Sequence, residues 1–223
     1  MIRLIITVLC MIIMPCCAYS QKNGAAQRME AQGLKNIAKE LPEVRISLMY
    51  TRADNFTGKV LYKDLTEAYL HPITMEALRK ADERLRALRP DLRLMVMDAT
   101  RPMSVQQVMW DAVKNTDKRI YVSNPKNGGG LHNYGLAVDV TLCRVNGDTL
   151  TMGVKIDNMT RLSHIDKEDE LLKQGKISKE AYDNRRLLRE VMQYGGFKPL
   201  RTEWWHFNIR TRSQAKQYFK VVR

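Results

Sequence analysis

The chain of 223 residues is long enough for one domain with a substantial core, since 44% of its residues are hydrophobic and 27% are charged. Its formal net charge of +13 could indicate nucleic-acid binding, but the basic residues are spread thinly, so no nucleic-acid partner is predicted. Internal repeats and low-complexity segments are absent, which argues against a repeat or fibrous protein.

The first twenty residues, MIRLIITVLCMIIMPCCAYS, differ from the rest of the chain. One basic residue precedes an apolar run from Leu4 to Met14, and the segment ends in the small-x-small pattern AYS. An apolar run of about eleven residues is too short to span a bilayer. The sequence therefore predicts a signal peptide at 1–20, a mature domain at 21–223 and export to the periplasm.

Two alternatives exist for this segment: a buried N-terminal helix, or a lipid-modified N-terminus at Cys16 or Cys17. Three of the four cysteines lie within 1–20, and Cys143 alone remains in the predicted mature domain. The mature domain therefore cannot form an internal disulfide. After residue 20, no segment of the sequence is apolar enough to predict a membrane span.

The first half of the mature region carries alternating strand and helix signals. A helical pattern with Pro72 at its first position has an apolar stripe formed by Ile73, Ala77, Leu78, Ala81, Leu85 and Leu88. In chain order the predicted elements are a short helix in AQRMEAQGLKNIAKEL, a strand in VRISLMYT, a turn at DNFTGK, a strand at VLY and the amphipathic helix HPITMEALRKADERLRALRP.

The second half begins with a buried strand, LRLMVMDAT, and a helix, MSVQQVMWDAV. Residues 114–130 and 144–177 are polar and irregular, and they flank a strand at LAVDVTL. Ser178 is placed to cap the helix KEAYDNRRLLREVMQY, which should stop at the following glycine pair, and TEWWHFNI is the last strand. Without regular βαβ alternation, the sequence predicts a single compact α+β domain, a mainly antiparallel sheet with flanking helices.

A carboxylate stands in the middle of an apolar strand at Asp139, between Val138 and Val140. Its desolvation would be costly unless the carboxylate is paired or bound to a metal. His132 lies seven residues earlier, and a turn at Gly135 could bring the two side chains together. Pairing with one of the many arginines is the alternative explanation for Asp139.

A second polar group lies in EWWHFN, residues 203–208, where Glu203 and His206 flank two tryptophans. Together His206, His132 and Asp139 provide three ligands, the number that a catalytic zinc site requires. Glu203 could then lie near the water on the metal and act as a general base, while the tryptophans exclude bulk water. Alternatively, the tryptophans are core residues and the two polar groups are chance neighbours. The remaining histidines, His71 and His164, are expected to be structural.

Several stretches resemble the zinc D-Ala-D-Ala peptidases, and in particular their VanX-type D-alanyl-D-alanine dipeptidase branch. From about Tyr50 onward they follow the family's order and cover nearly all of the mature domain. They are YTRADNFTG, YLH, DATRP, HNYGLAVDVTL, MGVKID, LSH, NRRLLREVM, GGFKPL and EWWHF.

This resemblance implies a zinc-dependent hydrolysis of the dipeptide D-Ala-D-Ala, with one Zn²⁺ per chain at the sheet. The positions that match the family's metal ligands are His132, Asp139 and His206. Glu203 matches the catalytic base. Arg101 in DATRP matches the arginine that stabilises charge on the scissile carbonyl oxygen, although pairing with Asp98 would give it a purely structural role.

Two further matches imply substrate contacts. Asp157 in MGVKID matches an aspartate that holds the substrate's amino group, and Tyr50 matches a tyrosine that lines the cavity. The chain departs from the family before its first histidine, where serine is usual and GGGLH stands here. Gly130 and Leu131 should leave metal binding unaffected but could change the affinity for the dipeptide.

Two other functions compete with dipeptide hydrolysis. A related zinc carboxypeptidase or peptidoglycan stem-peptide endopeptidase would share the fold and metal but have an open groove. A non-catalytic cell-wall-binding domain would be expected to lack the base or a ligand, and all four residues are present. Predicted export favours scavenging of dipeptide released from the cell wall.

Overall fold

The computed structural model describes residues 24–222, so the predicted signal peptide lies outside the described residues. The helices are α1 (Gly24–Ala31), α2 (Ile37–Glu40), α3 (Pro72–Leu88), α4 (Met103–Val113), α5 (Glu168–Lys173), α6 (Lys179–Tyr194) and α7 (Arg212–Tyr218). The strands are β1 (Lys35–Asn36), β2 (Arg45–Ile46), β3 (Tyr69–Leu70), β4 (Leu92–Asp98), β5 (Ala137–Arg144), β6 (Lys198–Leu200) and β7 (Glu203–Asn208). In this part of the chain no helix combines the length and the apolar character needed to cross a bilayer.

A five-stranded sheet in the order β2-β4-β5-β7-β6 forms the centre of the molecule. The short edge strand β2 pairs parallel with β4, and the other neighbours are antiparallel. A second, two-stranded sheet pairs β1 with β3. The predicted α+β class with a mainly antiparallel sheet is confirmed.

Helices α3 and α6 pack against each other and against the central sheet. Their ends follow the sequence signals: Pro72 opens α3, and the Ser178 hydroxyl accepts a hydrogen bond from the Ala181 N–H at 3.1 Å at the start of α6. On β5, Val138 and Val140 belong to the same core as Leu188 of α6. Alternation along the strand therefore turns Asp139 to the opposite face of the sheet.

The predicted strand over VRISLMYT is wrong beyond its first residues, because β2 contains two residues and Met49–Thr51 forms a 3₁₀ turn. The predicted strand at VLY is also wrong. The N–H groups of Leu61 and Tyr62 both donate to the Tyr50 carbonyl, at 2.9 Å, instead of to a neighbouring strand. Alternating hydrophobicity here reflects a turn packed onto the core.

Two irregular regions contain more structure than predicted. The short helix α5 lies within 144–177, where the bidentate pair of Arg189 with the buried Glu168 anchors it to α6, with a shortest distance of 2.7 Å. So short a helix depends on tertiary contacts that its own sequence does not contain. The predicted N-terminal helix is divided by Gly33, whose φ of +81° ends α1. The strand β6 and the helix α7 were not predicted.

Candidate active site

The sheet register brings Asp139 and His206 together, because they are directly paired between β5 and β7. His132 lies in a 3₁₀ turn, Leu131–Tyr134, immediately before β5. Gly135 closes that turn at a φ of +68°, and a Cβ there would lie 2.9 Å from the backbone nitrogen of His71. A glycine is therefore required where the chain returns His132 to the side of Asp139.

Three ligand atoms form a nearly equilateral triangle. Asp139 Oδ1 lies 3.0 Å from His206 Nδ1 and 3.2 Å from His132 Nε2, and the two ring nitrogens are 3.1 Å apart. Tetrahedral zinc with bonds of about 2.0–2.1 Å separates neighbouring ligand atoms by roughly 3.3 Å. The donor types and their separations therefore fit a tetrahedral metal site with one position left open.

The His132 ring is held in one tautomer. Its Nδ1 lies 2.7 Å from the Ala99 carbonyl oxygen, which can only accept, so Nδ1 carries the proton and the Nε2 lone pair faces the triangle. Burial opposes ionisation of Asp139, but the adjacent His132 and His206 outweigh it and hold the pKa of this carboxyl below its ordinary value. Asp139 is thus charged at neutral pH, as a carboxylate ligand of a metal would need to be.

Glu203 begins β7 and lines the same cavity as the three ligand residues. Burial is the main cause that raises the pKa of Glu203 to about 7, with further repulsion from Asp139 and Asp157. Trp204 and Trp205 are both 3% exposed and meet edge to face at 5.4 Å. Trp205 lines the active-site cavity, whereas Trp204 lines a separate one, so only Trp205 is placed to keep bulk water from Glu203 and His206.

Arg101 follows β4, and its buried guanidinium is held on several sides. Nη2 donates to Asp98 Oδ2 at 2.5 Å, Nη1 donates to Gln106 Oε1 at 3.0 Å, and the group stacks over the Tyr50 ring at 5.2 Å. The pairing of Arg101 with Asp98 is therefore real. It coexists with a place in the cavity wall, where Nη2 lies 4.0 Å from Asp139 Oδ2.

Asp157 has the one positive φ outside glycine among the described residues, +64°. Its Oδ1 accepts a hydrogen bond from the Tyr50 hydroxyl at 3.0 Å, whereas its buried Oδ2 has no hydrogen-bond partner. Burial is the main cause that raises the pKa of Asp157 to about 7. Backbone strain and an unpaired carboxylate oxygen both carry a cost, and such features concentrate at functional sites.

All seven site residues expected from the sequence line one cavity of about 310 Å³. Four further basic or polar residues also line this cavity: Ser123, Asn208, Arg210 and Arg212. The expectation that the other two histidines are structural agrees with their contacts. The ring of His71 accepts a hydrogen bond from the Ile73 N–H at the start of α3, and His164 bonds the Tyr121 hydroxyl.

Sequence reasoning did not identify Gln106 as a site residue. Its side chain is 1% exposed and lies in the cavity wall. The signal was present in the sequence, because Gln106 shares the buried face of α4 with Met109 and Val113 at helical spacing. A polar residue on a buried face requires a hydrogen-bonding partner.

A buried His-Asp-His triangle beside an acidic residue and an arginine is the arrangement expected of a metal-dependent hydrolase. A family model described as D-ala-D-ala dipeptidase matches residues 30–223. The chain belongs to this family of metallopeptidases, and is therefore an enzyme.

Three curated relatives align with this chain over most of their own length. The chain is 33% identical to the D-alanyl-D-alanine dipeptidase of Escherichia coli K12 over 185 residues, which is 83% of this chain and 87% of the relative. It is 29% identical to the D-alanyl-D-alanine dipeptidase of Enterococcus faecium, covering 79% of this chain and 91% of the relative. It is also 29% identical to the D-alanyl-D-alanine dipeptidase of Enterococcus faecalis V583, covering 80% of this chain and 92% of the relative.

Proposed function

We propose that this protein is a zinc dipeptidase that hydrolyses D-Ala-D-Ala to two molecules of D-alanine. Family membership and the names of its relatives support the reaction. The observation that carries the metal assignment is the triangle of His132, Asp139 and His206, whose ligand atoms all lie within 4.8 Å of one another. A small D-amino-acid dipeptide is the proposed substrate.

Two imidazoles and one carboxylate are a donor set typical of catalytic zinc sites, and these residues would hold a single ion. Zinc chemistry at these residues would consist of polarising a carbonyl group and lowering the pKa of a water molecule to about 7. A contact with the backbone orients the ring of His132 for this task. The hydrogen bond from His132 Nδ1–H to the Ala99 carbonyl is the kind of contact that tunes a ligand.

Glu203 is the proposed general base. It accepts a proton from the attacking water and later delivers it to the leaving amine. A pKa of about 7 suits both steps, because the group exchanges a proton readily at neutral pH. Glu203 lines the same cavity as the triangle but does not belong to the group of three residues whose ligand atoms converge.

Arg101 is proposed to stabilise the negative charge that develops on the scissile carbonyl oxygen. Asp98 and Gln106 engage three of its N–H donors, and the guanidinium provides five. The remaining donors are available to the substrate in the cavity that Arg101 lines. A positioned donor of this kind typically contributes about 3 kcal/mol to lowering the barrier.

Asp157 and Tyr50 are proposed to bind the amino end of the dipeptide. A substrate ammonium carries three donors, and Asp157 Oδ2 is a buried acceptor without a partner among the described residues. The Tyr50 hydroxyl, bonded to Oδ1, fixes the orientation of the carboxylate. Binding of a cation would also favour the charged form of Asp157.

The size of the cavity favours a dipeptidase over the related carboxypeptidase or endopeptidase. Its volume of about 310 Å³ lies at the lower end of the roughly 300–1,000 Å³ typical of ligand pockets. A stem peptide would need an open groove instead. A non-catalytic wall-binding role is disfavoured because the proposed base and all three proposed ligands line one cavity.

Release of free D-alanine from D-Ala-D-Ala, compared with release from a stem pentapeptide, tests the proposed function. We expect hydrolysis of the dipeptide to be much faster, to cease after chelation and to return with Zn²⁺. Faster hydrolysis of the pentapeptide would establish the carboxypeptidase instead. Absence of hydrolysis of both substrates by protein with a full complement of zinc would contradict a peptidase of either kind.

Export to the periplasm, with removal of 1–20, is a further part of the proposal, as is a role in the turnover of cell-wall dipeptide. The proposal of export rests on the sequence pattern of the first twenty residues. N-terminal sequencing of the protein recovered from cells should begin at Gln21. A lipid-modified Cys16 or Cys17 would indicate an anchored protein, and retention of Met1 would contradict cleavage.

A further inference from the structure

The buried side chain of Gln106 connects two parts of the active-site cavity. Its Oε1 accepts a hydrogen bond from Arg101 Nη1 at 3.0 Å, and its Nε2 donates to the Ser123 carbonyl oxygen at 2.8 Å. One end of the amide thus contacts the proposed oxyanion-binding group. The other end contacts the segment 121–123, which also lines the cavity.

At Arg101, the contact with Gln106 complements the contact with Asp98. Asp98 Oδ2 accepts from Nε at 3.1 Å and from Nη2 at 2.5 Å, which fixes one edge of the guanidinium. A pair of bonds to one oxygen atom still allows the group to tilt. The bond from Nη1 to Gln106 supplies a second, separate anchor and restricts that tilt.

At Ser123, the bond fixes one carbonyl group of a wall segment that is also held by the buried Val122 and by the hydrogen bond between Tyr121 and His164. The preceding 3₁₀ turn, Asp117–Tyr121, has no buried residue. Ser123 packs closely on Gly130, where an added Cβ would lie 3.0 Å from the serine Oγ. A side chain at Gly130 would therefore require the Ser123 side chain to shift by a few tenths of an ångström. Gly130 lies two residues before His132.

We propose that Gln106 is a positioning residue for the reaction. Its amide oxygen aligns Arg101 with the developing oxyanion, and its amide nitrogen holds Ser123 at the wall beside Gly130. Because Gln106 is an amide, it can accept from a cation and donate to a carbonyl at the same time. Neither a carboxylate nor an apolar side chain of similar size can do both. This inference rests on the proposed function, in which Arg101 acts on the substrate.

Three variants of the full zinc-loaded enzyme test the inference. Gln106→Met keeps the approximate size and removes both bonds, while Gln106→Glu retains an acceptor for Arg101 and loses the donor to Ser123. Gln107→Met is the matched control, because Gln107 is the exposed neighbour on the same helix and bonds only Asp111 at 3.1 Å. We would measure kcat and KM for D-Ala-D-Ala per bound zinc, the thermal midpoint, and the affinity for a phosphinate analogue of the dipeptide.

Gln106→Met should lower kcat by about 10-fold to 100-fold, since small misplacements of a catalytic group cost this much. It should weaken phosphinate binding by a similar factor. Gln106→Glu should recover most of kcat but keep a raised KM, because the wall at Ser123 has lost its donor. Gln107→Met should match the wild type within about twofold, as expected for a surface substitution.

Equal kcat and phosphinate affinity for Gln106→Met and the Gln107→Met control would overturn the inference. It would also be overturned if Gln106→Glu had the same kcat as Gln106→Met, because the loss would then reflect packing alone. If the proposed function itself is wrong, the results differ from both of these outcomes. The wild type would then release no D-alanine, or Arg101→Ala would remain as active as the wild type.

Discussion

The cavity has two walls that are built differently. The strand wall, formed by Asp139, Glu203 and His206, lies on the neighbouring strands β5 and β7. The loop wall, formed by Tyr50 and Asp157, lies on irregular segments that come from distant parts of the chain. Backbone pairing joins the two strands of the first wall, whereas a side-chain hydrogen bond joins the two segments of the second, in which Asp157 has a φ of +64°.

This difference suggests a division of labour between the walls. Catalytic and metal-binding groups must be held within a fraction of an ångström. Regular secondary structure holds them there without strained backbone. Recognition of the substrate tolerates looser support and uses strained or incompletely paired groups whose cost is offset when the ligand binds. Substitutions in the strand wall should therefore affect metal content and kcat, and those in the loop wall should affect KM and stability.

His206→Ala should cause the largest loss. Removal of one of three proposed ligands should leave less than one zinc per chain after dialysis, and hydrolysis should fall by about 10⁴-fold or more. Metal analysis and D-alanine release would be measured on the same sample. His164→Ala is the control, since His164 lies outside the triangle and should leave zinc content unchanged. Full zinc occupancy in His206→Ala would remove this residue from the ligand set.

Glu203→Gln should lower activity by about 10²–10⁴-fold, the usual contribution of a general base. The amide preserves the shape of the side chain and removes the proton acceptor. Zinc should remain bound at one per chain, because Glu203 lies outside the triangle. Loss of zinc would make Glu203 a ligand, and near-normal turnover with zinc retained would mean that another group takes the proton.

Arg101→Ala should reduce kcat by about 10²–10³-fold with zinc content intact, in line with the loss of one oxyanion donor. Arg101→Lys should recover only part of that loss, because an ammonium cannot reproduce the planar donor fork that Asp98 and Gln106 hold. Steady-state kinetics of both variants check this expectation. Near-wild-type kcat in Arg101→Ala would restrict this residue to its structural pair with Asp98.

Asp157→Asn should act mainly on KM and should leave the metal in place. A charge-assisted hydrogen bond contributes about 1.5–3 kcal/mol, so KM should rise by about 10-fold to 100-fold. Asp111→Asn, at an exposed aspartate of α4, is the control for loss of one negative charge. An unchanged KM in Asp157→Asn would place the substrate's amino group elsewhere.

Asp157→Asn should also stabilise the folded protein at alkaline pH. Burial raises the pKa of Asp157 to about 7 in the folded chain, whereas an unfolded aspartate titrates near about 3.9. The folded state thus binds the proton more tightly, so wild-type stability falls as pH rises from about 4 to about 7. Asparagine does not titrate, and its advantage over the wild type should reach on the order of 1–3 kcal/mol above pH 7. Unfolding midpoints that differ equally at pH 4 and pH 8 would contradict this.

The sequence predicted the strand wall better than the loop wall, for a physical reason. Asp139 and His206 are polar residues within apolar strands, and this anomaly is visible in the pattern itself. Their register across β5 and β7 was not visible, because pairing depends on the whole sheet. Helices α3 and α6 were predicted closely, since Pro72 and Ser178 mark their starts.

The loop wall has no such local signal. The predicted strand around Tyr50 was wrong because an alternating pattern fits a packed turn as well as a strand. The sequence around Asp157 contains no signal for its left-handed backbone conformation. Asp157 was predicted as a site residue from the family resemblance alone. Helical spacing places Gln106 on the buried face of α4, but its partners Arg101 and Ser123 are tertiary contacts that the sequence does not reveal.

The location of the metal tests the account most directly. Crystals of the zinc-loaded protein, measured at the zinc absorption edge, should show one anomalous peak at the triangle of ligand atoms. The peak should lie about 2.0–2.2 Å from His132 Nε2, Asp139 Oδ1 and His206 Nδ1, with the Glu203 carboxylate outside bonding distance. A peak bonded to Glu203 in place of Asp139, or one located away from β5 and β7, would contradict the proposed division between ligand and base.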